Sequence, residues 1–137
     1  MSSKISGDEL VEILRDTVVA LVRRDGPDLS ARQLGVFLTT YLSDGPHTVR
    51  GLAATLNVSK PAITRALDRL GELDLTRRKT DPQDRRSVLV QRTPKGTSLL
   101  REMSTIMGEA TRGEAGTSSA PANEPVAIET RPRHVAA

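Results

Sequence analysis

A chain of 137 residues has room for one hydrophobic core, and its length argues against two domains. Apolar residues make up 36 %, with one Phe, one Tyr and no Trp, so the core must be aliphatic; the lack of Cys excludes disulfides, thiolate nucleophiles and cysteine zinc sites. The net charge of +3 hides an uneven distribution, because between Val58 and Lys95 ten Lys and Arg face five Asp and Glu, the excess expected of a surface that tracks phosphates.

Residues 8–24 carry Leu10, Ile13, Leu14, Val18, Leu21 and Val22 at helical spacing, with acids in the first turn and Arg23 and Arg24 in the last. This predicts an amphipathic helix ended by Gly26 and Pro27. Its apolar stripe either buries against a partner chain or roofs its own domain. The start carries acids and no apolar run of the secretory type, and no stretch approaches the roughly 20 apolar residues of a membrane span. A cytoplasmic protein without membrane association is expected.

Ser30 is placed to cap a second helix whose Leu34, Phe37, Leu38, Tyr41 and Leu42 repeat at helical intervals until Asp44, Gly45 and Pro46 stop it. Thr48 caps a short helix with Leu52, Ala53 and Leu56 inward. After a tight turn at Asn57 and Val58, Ser59 caps a further helix, with Pro61 in its first turn and Ala62, Ile63, Ala66, Leu67 and Leu70 on one face. Two helices joined so briefly form a helix-turn-helix pair.

Beyond Gly71 the period changes from helical to alternating. Leu75–Lys79 and Ser87–Thr93 read as strands around the turn-forming Asp81, Pro82, Gln83 and Asp84, giving a hairpin with a basic tip. Pro94 opens a last helix carrying Leu99, Leu100, Met103, Ile106 and Met107, which fades near Ala110. From residue 111 to 137 Gly, Ala, Ser, Thr, Pro and Glu dominate, a composition expected to stay disordered.

The fold class is therefore α+β and mostly helical: a winged helix-turn-helix domain over 29–96, flanked by an N-terminal helix in 1–28 and a C-terminal helix in 97–110. Each part suits duplex DNA. The helix of residues 59–70 offers Ser59, Lys60, Pro61, Thr64, Arg65 and Asp68 along one outward stripe, the short and basic groups a major-groove helix needs. Arg65 can bond both acceptors of a guanine, Lys60 can meet phosphate or guanine as a point charge, and Ser59 with the free N–H groups of the helix start suits a phosphate oxygen. Thr48 at the start of the preceding helix joins this set. The hairpin, residues 76–92, places Arg77, Arg78 and Lys79 on one arm, with Arg77 taken as a phosphate contact, and Arg85 and Arg86 at the tip, a basic element suited to a narrow minor groove. Asp68 and Asp84 are expected to hold neighbouring Arg side chains through ion pairs.

The run LAATLNVSKPAITRALDRLGELDLTRRKTDPQDRRSVLVQRTPKG, with D-x-R at Asp84 to Arg86 and T-x-x-G at Thr93 to Gly96, resembles the MarR family of bacterial winged helix regulators over about residues 30–100. The resemblance implies a homodimer on a palindromic operator, usually a repressor, often released by a small anionic or phenolic effector held between the dimerisation and DNA-reading parts. Position by position, Ser59, Lys60, Thr64 and Arg65 match its recognition helix, and Arg85 and Arg86 its wing. Family members usually end in long intertwining helices, whereas here the last helix spans about four turns. Thiol-based peroxide sensing is excluded by the absence of Cys.

Competing readings are weaker. His47, alone in a turn, is structural, and Met103 and Met107 are core or dimer contacts. Asp68, Glu72, Asp81 and Asp84 are interleaved with Arg and lack a phosphate loop or an activated nucleophile, so neither an enzyme nor a bound metal or cofactor is expected. The alternative with most support is a winged helix module whose basic surface binds an acidic protein.

Overall fold

The computed structural model describes residues 4–113. The 114–137 part of the segment expected to be disordered lies outside the described residues. The elements in chain order are α1 (Gly7–Arg23), α2 (Ala31–Leu42), β1 (His47–Thr48), α3 (Val49–Leu56), α4 (Lys60–Glu72), β2 (Thr76–Asp81), β3 (Asp84–Arg92) and α5 (Pro94–Thr111). This is the winged helix arrangement flanked by helices that the sequence predicts. No described helix is long and apolar enough to cross a membrane.

Hydroxyl caps set the helix starts. Ser6 and Ser30 form capping boxes with Glu9 and Gln33, and Thr48, Ser59 and Thr93 accept the N–H of Gly51, Ala62 and Gly96. The turn between α3 and α4 depends on Asn57, whose φ of 53° lies in the left-handed region that Asn tolerates. That single residue lets α3 reverse quickly enough to pack its Leu52 and Ala53 against α4.

The core gathers Val36, Phe37 and Tyr41 of α2, Leu52 and Ala53 of α3, Ile63, Ala66, Leu67 and Leu70 of α4, with Leu75, Val90, Leu99 and Met103 closing it. Five of α4's residues are thus buried on one side, which leaves its opposite flank to solvent. The three-stranded sheet has the order β1-β3-β2, and both pairings are antiparallel. Strand β3 at its centre joins the hairpin to the chain segment that caps α3.

Several sequence expectations are corrected. The segment before α3 is a strand as well as a cap: His47 and Thr48 pair with Val90 and Leu89, a two-residue pairing too short to leave a period. Leu42, expected on the inner stripe of α2, is 68 % exposed at the helix end, while Val36 and Thr40 are fully buried. The hydroxyl of Thr40 is satisfied inside the helix by the Val36 carbonyl at 2.8 Å. The stripe of α1 roofs its own domain only through Ile13, Thr17 and half-buried Leu21; Leu10, Val11, Leu14, Val18 and Val22 are exposed. Strand β3 begins at Asp84, three residues before the expected Ser87, so Arg85 and Arg86 stand on the strand and the tip is Pro82 and Gln83.

Candidate nucleic-acid interface

Helix α4 places the predicted residues by its periodicity. Ser59, Lys60, Pro61, Thr64, Arg65 and Asp68 are all exposed, because the buried positions take the other side of the helix. Lys60, Thr64 and Asp68, spaced by four, form the row nearest the hairpin. Pro61 and Arg65 form the neighbouring row, which faces outward. Ser59 uses its hydroxyl oxygen as the cap of α4, accepting the Ala62 N–H at 3.2 Å, so its hydroxyl hydrogen is what it has left to offer.

Between the first row of α4, the start of α3 and the hairpin lies a cleft of about 500 Å³, lined by Thr48, Val49, Arg50, Lys60, Thr64, Arg78, Asp84, Arg86, Ser87 and Val88. Four cations and one carboxylate surround it, and such a lining concentrates positive potential inside a concave surface. Of the residues expected to meet DNA, Thr48, Lys60, Thr64 and Arg86 are brought together here. Ser59, Pro61 and Arg65 stand exposed on α4, and Arg77 and Arg85 stand exposed on the hairpin, without lining the cleft.

Arg50 and Ser87 are cleft residues that sequence reasoning missed, and Arg78, one of three cations read on the first arm of the hairpin, was not singled out as a contact. For Arg78 the signal was strand alternation. Thr76, buried, and Arg78 share the face of β2 that looks toward α4, whereas Arg77 takes the opposite face. Arg77 there reaches Asp74 at 3.5 Å, and Arg78 reaches Asp68 at 2.6 Å. The Arg78 and Asp68 side chains are both substantially exposed, so the pair adds little stability. Its consequence is geometric, since it ties the hairpin to the middle of α4.

The other expected ion pair is corrected. Among the described residues Asp84 makes no ion pair; its carboxylate accepts the Arg86 backbone N–H at 3.1 Å, as Asp81 accepts that of Gln83 at 2.9 Å. Short acidic side chains at a tight turn satisfy local N–H groups more readily than they reach a flexible guanidinium. Asp84 therefore shapes the turn and sets the direction in which Arg86 leaves the strand. No group of three or more His, Cys, Asp or Glu among the described residues is arranged to hold a metal ion.

A second cavity, of about 510 Å³, opens on the far side of the domain between α1, the start of α2, the end of α4 and α5. Its lining is apolar for the most part, with Val18, Leu21, Leu73 and Leu99 among the walls, and carries Arg24 and Lys95 together with Asp25 and Asp28.

Comparison with known proteins agrees with the fold. Residues 32–88 match the model of the MarR family. The chain is similar to a MarR transcriptional regulator from Methanosarcina mazei Go1, with 25 % identity and a TM-score of 0.56 over 84 % of this chain and 81 % of that one. It is similar in fold to a mutant of S. aureus MepR bound to an oligodeoxyribonucleotide, with 19 % identity, a TM-score of 0.66 and 87 % of each chain covered. A mutant of E. coli MarR complexed with operator DNA matches at 24 % identity and a TM-score of 0.60, over 82 % of this chain and 78 % of that one. No curated protein sequence matches.

Proposed function

We propose, from the match of residues 32–88 to the model of the MarR family, that this chain is a sequence-specific regulator of transcription of that family that binds double-stranded DNA and acts as a repressor. The observation that carries the reading is the cleft: the exposed flank of α4 and the cations of the hairpin stand on one face of the domain, close enough to share a concave surface of about 500 Å³. That structures of similar fold contain DNA supports duplex binding as the use of this basic surface.

In this reading α4 enters the major groove. Arg65, on the outward row, reads a guanine edge, since its planar fork can bond two acceptors at once. Thr64 touches a base edge or a thymine methyl, and Lys60 and the start of α4 at Ser59 and Pro61 hold phosphate oxygens. Thr48 and Arg50 meet the backbone from the start of α3. The wing, residues 76–92, brings Arg85 and Arg86 to the minor groove, while Arg77 and Arg78 stand over phosphates. The chain works as a cytoplasmic homodimer that uses the exposed stripe of α1, and its two recognition helices stand about 34 Å apart, one turn of DNA. The cavity beside Arg24 and Lys95 is where a small-molecule effector acts. We assign it no catalytic step.

Selection of bound sequences from random duplex DNA tests the proposal. A palindromic enriched motif, with half-sites separated by about one helical turn, is the expected result. Absence of any enrichment, together with salt-sensitive binding to an acidic protein surface, would favour the protein-interaction alternative.

A further inference from the structure

We infer that Tyr41 is a positioning residue that fixes the roots of the wing, and so its direction relative to the recognition helix, an inference that rests on the DNA-reading function proposed above. The hairpin leaves the domain through two roots, Leu75 just before β2 and Thr93 just after β3. One phenol holds both. Its hydroxyl donates to the Leu75 carbonyl at 2.7 Å and accepts the Thr93 N–H at 2.9 Å. Tyr41 itself is 7 % exposed, and its ring centroid lies 4.5 Å from that of Phe37, which is fully buried. The hinge of the wing is thereby attached to the rigid centre of the core.

Two further ties act on the same point. Arg92, the last residue of β3, lies over the Tyr41 ring at 5.7 Å and donates to the carbonyls of Thr40 and Ser43 at 2.9 and 3.2 Å. The Thr93 hydroxyl donates to the Asp74 carbonyl at 2.6 Å, closing the two roots on each other. Geometry gives these contacts their leverage. At about 3.3 Å per residue, six strand residues put the tip roughly 20 Å from the root, so a rotation of about 10° at the root displaces the tip by roughly 3 Å. A displacement of that size takes a guanidinium off a phosphate oxygen.

An apolar ring would fill the same space, so the orienting part of Tyr41 is its hydroxyl, and Tyr41→Phe removes that alone. The chain contains no Cys, which allows spin labels at R32C on α2 and Q83C at the tip to report the wing without DNA. Expected is a single narrow distance distribution in the parent and a broader or shifted one in Y41F. An unchanged distribution overturns the inference. Arg92→Gln, at an exposed position, gives an independent variant that keeps the core; it is expected to broaden the distribution in the same direction, and no change there counts against the clamp. On the duplex selected above, Y41F is expected to bind about tenfold more weakly, with most of that loss shared with Arg86→Ala and not with Arg65→Ala, because Tyr41 acts only through the placement of the wing and a wing contact already removed cannot be lost a second time. Costs that multiply fully with Arg86→Ala would contradict positioning of the wing. A parent chain that binds no duplex would retire the DNA reading, while the label distances would still decide the clamp.

Discussion

Gly96→Ala is expected to lower the unfolding free energy by about 3 kcal/mol or more, from overpacking and from buried polar groups left unpaired. Gly96 lies in the first turn of α5, and a Cβ built on it would overlap the Tyr41 hydroxyl and ring and meet the Leu75 carbonyl at 2.6 Å. The phenol has nowhere to retreat, being wedged beside Phe37. Moving it breaks the bonds to the Leu75 carbonyl and the Thr93 N–H, both at buried positions. Gly35 inside α2 provides the contrast, because a Cβ there would meet only Leu56 at 3.4 Å. Gly35→Ala is expected to be neutral or to stabilise by up to about 1 kcal/mol, the usual gain of Ala over Gly in a helix. Urea denaturation of both variants checks this; a loss below about 1 kcal/mol for Gly96→Ala would mean that the α5 start is free to move away from α2.

Arg65→Ala and Lys60→Ala are expected to damage DNA binding in different ways. Arg65 stands on the outward row of α4, where a guanidinium can reach base edges. Its removal is expected to cost on the order of 1–3 kcal/mol on the selected site and to relax sequence preference there. Lys60 lines the cleft with Arg78 and Arg86, the position of a phosphate contact. Its removal is expected to weaken all sequences alike and to reduce the slope of log affinity against log salt by about 0.9. Arg78→Ala is expected to behave as Lys60→Ala does, with Arg77→Ala weakening all sequences in the same uniform manner but less, because Arg77 stands on the other face of β2. Fluorescence anisotropy on the selected and a scrambled duplex, over a salt series, separates these patterns. Equal selectivity in parent and Arg65→Ala would remove Arg65 from base reading.

The sequence makes the helices legible because their burial is one-sided and their starts carry Ser or Thr caps. In α4 the five inward residues and the exposed Lys60, Thr64 and Arg65 follow directly from a 3.6-residue period. What escaped the reading depends on contacts between distant segments. The strand at His47–Thr48 exists only because β3 passes beside it. Arg78 differs from Arg77 only in which face of β2 the sheet turns toward α4, and the residues 77–79 are all cationic, so no apolar alternation marks the inner side. The Thr93-x-x-Gly96 spacing was visible as a motif, but its reason is in space. Thr93 supplies the cap of α5 and one root of the wing, and Gly96 leaves room for a phenol 55 positions earlier in the chain. The exposed apolar stripe of α1 was read correctly as a stripe, yet periodicity alone does not say whether its partner is intramolecular.

The central claim is that the outward flank of α4 and the tip of the hairpin engage one duplex at the same time. A chelated iron attached at Q83C, generating hydroxyl radicals on the selected duplex, tests it most directly when the guanine N7 positions are probed by methylation in the same complex. The account predicts N7 protection in the major groove under α4, with strand cuts in the flanking minor groove offset by about 5 base pairs, half a helical turn. Protection without cuts at a fixed offset, or cuts without protection, would contradict it.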